Sequence, residues 1–435
     1  MVYIAREQHE QGEILMQLTL KNIGKISKAD IKLDGITIIA GENNTGKSTV
    51  GKVLFCLFNS FYKIDQQIYI ERRESIKRIL ENLNPDTFNK PLSVVPIRKF
   101  ANGILNNKDS FIEDRNSLNN DIVKNFIDES INVEIYKNEV ENVAARITQI
   151  LKISDEEIFK TVLQNKLDSE FYRQINNIFT PNEVGEINLK IKKTTVNAKI
   201  KNNKIQEITN RLSLNTELIY MDDPFALDDL NDSWTPTMTH RNHLKDKLII
   251  INDNGNIKNA LNEILITNKI KLILDKLNTV CSGDMVLTES SMFRYKESYS
   301  EASLDVKNIS TGLKTFVILK SLLLNGVLEE HGTIVLDEPE IHLHPEWQLI
   351  FAELIVLIQK EFNMHILLNT HSPYFLNAIE VYAAKYEIAD KCNYYMAENH
   401  GTKSEITDVT KDIEKIYQKL AKPLQTLENV RYSDE

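Results

Sequence analysis

The sequence predicts an α/β fold: a mainly parallel sheet joined to an antiparallel β part, with a helical arm inserted in the chain. Three observations carry this. The glycine-containing stretch Gly41-Glu42-Asn43-Asn44-Thr45-Gly46-Lys47-Ser48 directly follows the apolar run Ile36 to Ala40. From Thr311 to Tyr386, helical segments alternate with short buried strands, the order that builds a parallel sheet. Between these parts, from about Phe61 to Asn182, the chain turns polar and its apolar residues recur at three and four.

The elements follow in order. Residues Met1 to Met16 mix Arg6, Glu7, His9, Glu10 and Glu13 without an apolar core, so neither a secretory signal nor a membrane anchor is expected, and the expected location is cytoplasmic. Leu18 and Leu20, then Ile31 and Leu33, alternate as antiparallel strands do, and Ile36 to Ala40 reads as a fully buried strand. A helix is expected from Lys47. In the polar segment, Ile64, Ile68, Ile76, Ile79, Leu80 and Leu83 mark one helical face, stopped by Pro85. Val140, Val143, Ile147, Ile150 and Leu151 mark another, and Ser154 with Glu157 forms a capping box that opens a helix at Asp155. These helices are too interrupted for a coiled coil, so the arm should be a lobe.

Ile187, Leu189 and Ile191, then Val196, Ala198 and Ile200, then Ile205 and Ile208 predict an antiparallel meander with a turn at Asn202-Asn203. A strand at Leu218 to Met221, helices at His240 to Ile249 and Ile257 to Leu277, and short strands from Met285 to Val306 come next. The last part reads as helix from Thr311, strand Thr333 to Leu336, helix Glu346 to Phe362, strand His365 to Leu368 and helix Tyr374 to Tyr386. The expected domains are residues 14–60, an amino-terminal lobe; 61–185, the inserted arm; and 186–435, a carboxy-terminal lobe.

With 435 residues, 42% of them hydrophobic, the chain can bury one large or two ordinary cores. Its 52 basic against 62 acidic residues, a formal charge of -10, argue against a surface coated in nucleic acid. Cys56, Cys281 and Cys392 lack paired spacing and read as packing residues of a reducing compartment. Phe316 to Leu328 is apolar but broken by Lys320, Ser321 and Asn325, too short to span a bilayer.

The loop from Gly41 fits the phosphate-binding pattern G-x-x-x-x-G-K-S and sits, as that pattern requires, between a buried strand and a helix. Gly41, Asn43, Asn44, Thr45, Gly46, Lys47, Ser48 and Thr49 are the expected nucleotide contacts. Glycines let the backbone amides turn inward, Lys47 reaches the β- and γ-phosphates, and Ser48 holds Mg²⁺. Farther on, Ile334 to Leu336 lead into Asp337-Glu338-Pro339-Glu340. A carboxylate at a strand end beside a phosphate loop suits Mg²⁺ at Asp337, and Glu338 is the candidate to polarise the attacking water.

Leu336-Asp337-Glu338-Pro339-Glu340-Ile341-His342-Leu343-His344-Pro345 and Asn369-Thr370-His371-Ser372-Pro373 resemble the ABC-type ATPases related to SMC proteins. They are most similar to stand-alone AAA-type ATPases of bacterial anti-phage operons and to the ATPase half of the overcoming-lysogenisation-defect (OLD) nucleases. Asn308-Ile309-Ser310-Thr311-Gly312-Leu313-Lys314 resembles the ABC signature, departing from it at Thr311 and Leu313. The resemblance covers about Leu18 to Tyr62 and Leu218 to Leu376, and implies an ABC-type P-loop ATPase head binding ATP and Mg²⁺. It implies further that Ser310, Thr311 and Gly312 meet the γ-phosphate held by a second copy, and that His371 is the catalytic switch histidine. The heads would form a homodimer sandwiching ATP, with higher assembly left open.

Other features keep two readings. Lys190, Lys192, Lys193, Lys199, Lys201 and Lys204 suit a nucleic-acid surface, or simply guard exposed strands against edge pairing. His342 and His344 suit a metal in isolation, but by resemblance they lie where such heads approach each other. OLD-type nucleases continue into a metal-dependent domain, yet residues 372–435 offer no Asp-x-Asp pair, so a nuclease in cis is not expected. The near match to a guanine-recognition motif, Asn268-Lys269-Ile270-Lys271, ends in lysine, and adenine is preferred by resemblance. The expected function is a dimeric ATP-driven switch that controls a separate effector, a nuclease or toxin, in anti-phage defence. The alternative is a DNA-binding SMC-like repair or maintenance ATPase; no membrane partner is expected.

Overall fold

A computed structural model describes residues 16–81, 97–126, 137–232, 238–249, 270–290 and 292–432. The amino-terminal residues 1–15, the Leu83 to Pro85 stop and the Ile257 to Lys269 part of an expected helix lie outside the described residues. The chain divides into two compact units: one of residues 1–59, 164–212 and 216–435, the other of 60–163 and 213–215.

The first unit is built on one eleven-stranded sheet. Strand β3 (Ile36–Gly41) pairs in parallel with β12 (His365–Thr370) on one side and β13 (Cys392–His400) on the other. Strand β12 continues in parallel to β11 (Thr333–Asp337), and β11 to the edge strand β7 (Leu218–Met221). Strands paired this way are covered on both faces, which is why β3, β7, β11 and β12 are buried at every position and are mostly apolar.

Beyond β13 the same sheet turns antiparallel. Strand β14 (Lys403–Asp408) returns antiparallel beside β13 and pairs in parallel with β2 (Ile26–Lys32), and β1 (Met16–Ile23) links β2, antiparallel, to the meander β4 (Gly185–Ile191), β5 (Thr194–Lys201) and β6 (Lys204–Thr209). The expected parallel and antiparallel parts are therefore halves of one continuous sheet. Asn202 and Asn203 both take positive φ, 53° and 62°, the backbone that a tight hairpin asks of its central residues. A separate three-stranded sheet is formed by β8 (Asp284–Leu287), β9 (Phe293–Lys296) and β10 (Ser303–Asp305).

Helix α1 (Lys47–Phe61) packs so closely on this sheet that a Cβ at Gly51 would stand 2.8 Å from Val335. Its Asn59 side chain clips the start of β7, donating to Leu218 O at 3.1 Å and accepting from Leu218 N at 3.0 Å. All three cysteines are buried and free, as packing residues should be. Among the described residues no helix is long and apolar enough to cross a membrane.

The second unit has its own core. Helices α2 (Ile64–Glu81), α3 (Ile97–Asn106), α4 (Lys108–Glu113), α5 (Arg115–Phe126) and α6 (Lys137–Lys152) bury Ile76, Leu80, Ile104, Leu118, Ile122 and Ile147 together. This is a lobe of short helices. The capping box forms as expected: Glu157 N donates to Ser154 Oγ at 3.1 Å, and Ser154 N to Glu157 Oε2 at 3.2 Å.

One expected boundary moves. The expected arm spans residues 61–185, but 164–185 group with the first unit, and polar side chains there satisfy the meander. Gln164 accepts from Ile205 N at 2.8 Å, Asp168 pairs with Lys204 at 2.9 Å, and Asn176 donates to Ile200 O at 3.1 Å. Helix α7 (Asp155–Glu170) is thus shared, residues 155–163 grouping with the helical unit and 164–170 with the sheet unit.

Candidate functional site

The site lies where β3, β11 and β12 end side by side. Their register aligns Ile39 with Asn369 and Asp337 with Asn369, so the loop after β3 and the carboxylates after β11 share one end of the parallel sheet, where α/β sheets bind ligands.

Gly41 to Lys47 wrap as a phosphate loop does. Gly41 takes φ 155°, where a Cβ would stand 2.3 Å from Ala397 O, and Gly46 takes φ 86°, where a Cβ would meet Ile26 at 2.8 Å. Asn44 is left-handed, at φ 60°, and its carbonyl accepts from Lys25 Nζ at 2.8 Å. Thr45 Oγ1 donates to Glu42 O at 2.8 Å, closing the turn. Lys47 is buried and donates to Gly41 O at 3.1 Å and Glu42 O at 2.9 Å, so its ammonium lies within the loop. Thr49 N donates to Gly46 O at 3.0 Å, while Asn43 in the loop and Ser48 at the helix start are exposed.

Asp337 is buried, and two neutral donors hold it: Tyr220 Oη at 2.8 Å from Oδ2 and Asn369 Nδ2 at 2.8 Å from Oδ1. The Tyr220 hydroxyl also lies 3.4 Å from Ser48 O, which puts the helix start and the Asp337 carboxylate around one phenol. Glu338 follows at φ 51°, an uncommon left-handed backbone for a non-glycine residue. Its Oε1 lies 3.4 Å from Lys47 Nζ and 3.5 Å from His371 Nδ1. The His371 ring, then the Lys47 charge, hold the Glu338 carboxyl below its ordinary range against partial burial, and Glu338 in turn raises His371.

Glu340 is buried behind them. Burial pushes its carboxyl up, opposed by hydrogen bonds from Thr370 Oγ1 and from His371 N at 3.3 Å. These bonds fix the backbone from which His371 projects. Ser372 then caps helix α11 (Pro373–Lys385), accepting from Phe375 N at 3.2 Å.

Ser310, Thr311 and Gly312 form a second cluster at the start of helix α9 (Thr311–Leu324). Ser310 is the exposed cap of that helix, accepting from Leu313 N at 3.3 Å. Gly312 lies against the His342 backbone, where a Cβ would stand 2.8 Å from His342 O. Among the described residues no hydrogen bond or ion pair joins this cluster to Gly41–Thr49. His342 packs edge-on to Phe225 at 5.9 Å, and His344 caps helix α10 (Pro345–Phe362) by accepting from Glu346 N at 3.4 Å. Their side chains are occupied by packing and capping.

The sequence reading missed Tyr220, Lys25 and Lys419. Lys419, on helix α12 (Glu414–Tyr432), pairs with Glu42 of the loop at 3.3 Å and with Glu398 at 3.5 Å. Only a tyrosine in the otherwise aliphatic β7 hinted at Tyr220. The oxygen donors fit Mg²⁺: Asp337 closes β11 and Ser48 stands in the first turn of α1, both beside the Tyr220 hydroxyl. Among the described residues no three His, Cys, Asp or Glu side chains gather as a metal cage, so the remaining ligands of such a cation would be water and phosphate.

A phosphate loop facing a carboxylate pair across three parallel strands defines a P-loop nucleotide-hydrolysing domain. The chain belongs to the family of AAA ATPase domains, whose profile matches residues 14–376; the reaction of that domain is ATP hydrolysis. A 143-residue stretch, 26% of this chain, is 28% identical to the retron Ec83 probable ATPase of Escherichia coli and covers 26% of it. Over 89 residues, 18% of this chain, identity to the retron Vc95 probable ATPase of Vibrio cholerae serotype O1 biovar El Tor is 32%, covering 17% of it. Over 379 residues, 79% of this chain, identity to endonuclease GajA of Bacillus cereus strain HuB5-5 is 23%, covering 52% of it. The chain thus spans about half, or less, of the curated relatives it matches. Among solved structures, an SMC head bound to the C-terminal winged-helix domain of ScpA aligns with TM-score 0.43 at 11% identity, over 92% of this chain and 99% of that one. The ATP-binding cassette of an ABC transporter aligns with TM-score 0.33 at 11% identity, over 92% and 98%.

Proposed function

We propose that this chain is a dimeric ATP-driven switch that controls a separate effector, a nuclease or toxin, in defence against phage. The carrying observation is Glu338, whose Oε1 lies between Lys47 and His371 at 3.4 and 3.5 Å. A carboxylate kept ionised there can accept a proton from water attacking a γ-phosphate that Lys47 holds. Ser48 and Asp337 would hold Mg²⁺, which would supply charge neutralisation to the nucleotide's phosphates. His371, braced by Glu340, contacts the γ-phosphate. Ser310, Thr311 and Gly312 lie apart from this chain's own loop and complete the pocket of a second copy, in a two-fold arrangement. The retron ATPase and endonuclease matches support the defence setting, and the helical unit is the part we assign to an effector.

Affinity purification of full-length Glu338→Gln with ATP and Mg²⁺, followed by mass spectrometry and nucleic-acid analysis, tests this reading. A stoichiometric second polypeptide supports it. DNA without a protein partner favours the repair alternative, for which the meander lysines speak; of those, Lys199 and Lys204 are already paired to Glu207 and Asp168, each at 2.9 Å. Sedimentation as a monomer under the same conditions would contradict the dimer.

A further inference from the structure

Asp337 is held in an unusual way for a buried carboxylate. Both of its hydrogen-bond donors, Tyr220 and Asn369, are neutral, so each oxygen is aimed by a group that brings no positive charge. A carboxylate has about four lone-pair sites, and two single donors leave room for a cation. The phenol has one proton; the 2.8 Å contact to Asp337 takes it, and the 3.4 Å approach to Ser48 O is packing.

The ring of Tyr220 is itself fixed. It is fully buried and stacks on His240, with centroids 4.4 Å apart and planes inclined by 26°. His240 opens helix α8 (His240–Ile249), and both its ring nitrogens face carboxylates: Nδ1 lies 2.7 Å from Glu170 Oε2 and Nε2 lies 2.8 Å from Asp222 Oδ2. A ring donating from both nitrogens is an imidazolium with no rotational freedom. The Glu170 side chain is 1% exposed, and its other oxygen accepts from His240 N, so the clamp closes on backbone as well.

We propose that Tyr220 and His240 are positioning residues for the metal-binding carboxylate: Tyr220 aims Asp337 by its hydroxyl, and His240, clamped between Glu170 and Asp222, holds the Tyr220 ring in place. This rests on the reading of Asp337 as the Mg²⁺ ligand. Outer hydrogen-bond partners of metal ligands typically govern metal affinity by about 10–100-fold. The chain of contacts runs from the strand end to Glu170, the last residue of α7.

The test compares full-length wild type, Tyr220→Phe, His240→Gln and Asp337→Asn in two measurements: equilibrium binding of a fluorescent ATP analogue in EDTA, and the Mg²⁺ concentration giving half-maximal ATPase. Tyr220→Phe keeps the ring and removes one oxygen. It should bind the analogue in EDTA within about twofold of wild type, yet need about tenfold more Mg²⁺. His240→Gln should shift the Mg²⁺ requirement in the same direction by less. A purely structural role would lower stability or nucleotide binding without changing the Mg²⁺ requirement. A wild-type Mg²⁺ requirement in Tyr220→Phe, with Asp337→Asn strongly impaired, overturns the positioning role alone. A wild-type requirement in Asp337→Asn as well overturns the metal assignment with it. If His240→Gln does not fold, Tyr220→Phe still decides.

Discussion

Glu338 Oε1 stands 3.4 Å from Lys47 Nζ, so the carboxylate proposed to activate water is ion-paired with the lysine proposed to bind phosphate. A γ-phosphate that engages Lys47 must compete with Glu338 for it, which ties nucleotide arrival to release of the base toward water.

Replacing that carboxylate should separate binding from turnover. Glu338→Gln is expected to cut ATP hydrolysis by about 10²–10⁴-fold, the usual worth of a positioned base. It should also raise ATP affinity several-fold, because an anion competing for Lys47 is gone. Single-turnover kinetics and equilibrium binding measure the two effects, and undiminished turnover would remove Glu338 from the role.

The two-copy site can be tested by mixing inactive proteins. Lys47→Ala should lose at least about tenfold in ATP affinity while keeping its Ser310 to Gly312 cluster, since an ammonium bound to phosphate is a strong charge-assisted contact. Ser310→Arg should bind ATP near normally but not hydrolyse it, with only about 1 kcal/mol lost from the missing helix cap. Mixed dimers contain one intact composite site, so activity should reappear on mixing. Continued inactivity, with mixed dimers demonstrated, would rule out completion in trans.

The loop glycines leave no room for side chains. In Gly41→Ala the new carbon would stand 2.3 Å from Ala397 O at φ 155°. The backbone must move, at a cost of about 2 kcal/mol or more, and the loop amides move with it. Chemical denaturation should show the loss, and nucleotide binding should fall in parallel. Wild-type values for both would contradict the loop geometry.

Stability should fall on the alkaline side through His240. Burial opposes its charge, but the hydrogen bonds to Asp222 and Glu170 win and raise its pKa from 6.5 to about 9. A raised folded-state pKa means the stabilisation is complete below about 6.5 and is lost as pH rises through about 9. The group faces Asp222 and Glu170, with Lys52 near the first and Lys166 near the second. The stabilisation is on the order of 3 kcal/mol. Urea midpoints measured from pH 6 to 10 should drop more steeply for wild type than for His240→Gln; parallel curves would contradict the clamp.

Local chemistry in the chain was readable. The phosphate loop appears between β3 and α1, and the Ser154 to Glu157 box and the Asn202-Asn203 turn form as their residue types require. These features depend on neighbours a few positions away. What was hidden depends on distance along the chain. Leu18 pairs with Leu189 across the whole arm, and Tyr220 reaches Asp337 across 117 positions. The place of β13 and β14 within the sheet, and the return of residues 164–185 to the sheet unit, likewise come from partners that no local pattern announces. Of the candidate site, Asp337, Glu338, Lys47 and His371 were legible as motif residues, but the arrangement that orients them was not.

The left-handed backbone at Glu338 has a consequence for how this protein can be improved. Glycine or asparagine would occupy that conformation with less strain, by about 1 kcal/mol. A laboratory selection for heat resistance alone would therefore drift toward one of them at position 338 and harvest sturdier, silent proteins. With Glu338 as the proposed base, durability and turnover are set against each other in one residue, and any campaign that aims for both has to hold that position fixed and seek its gains elsewhere.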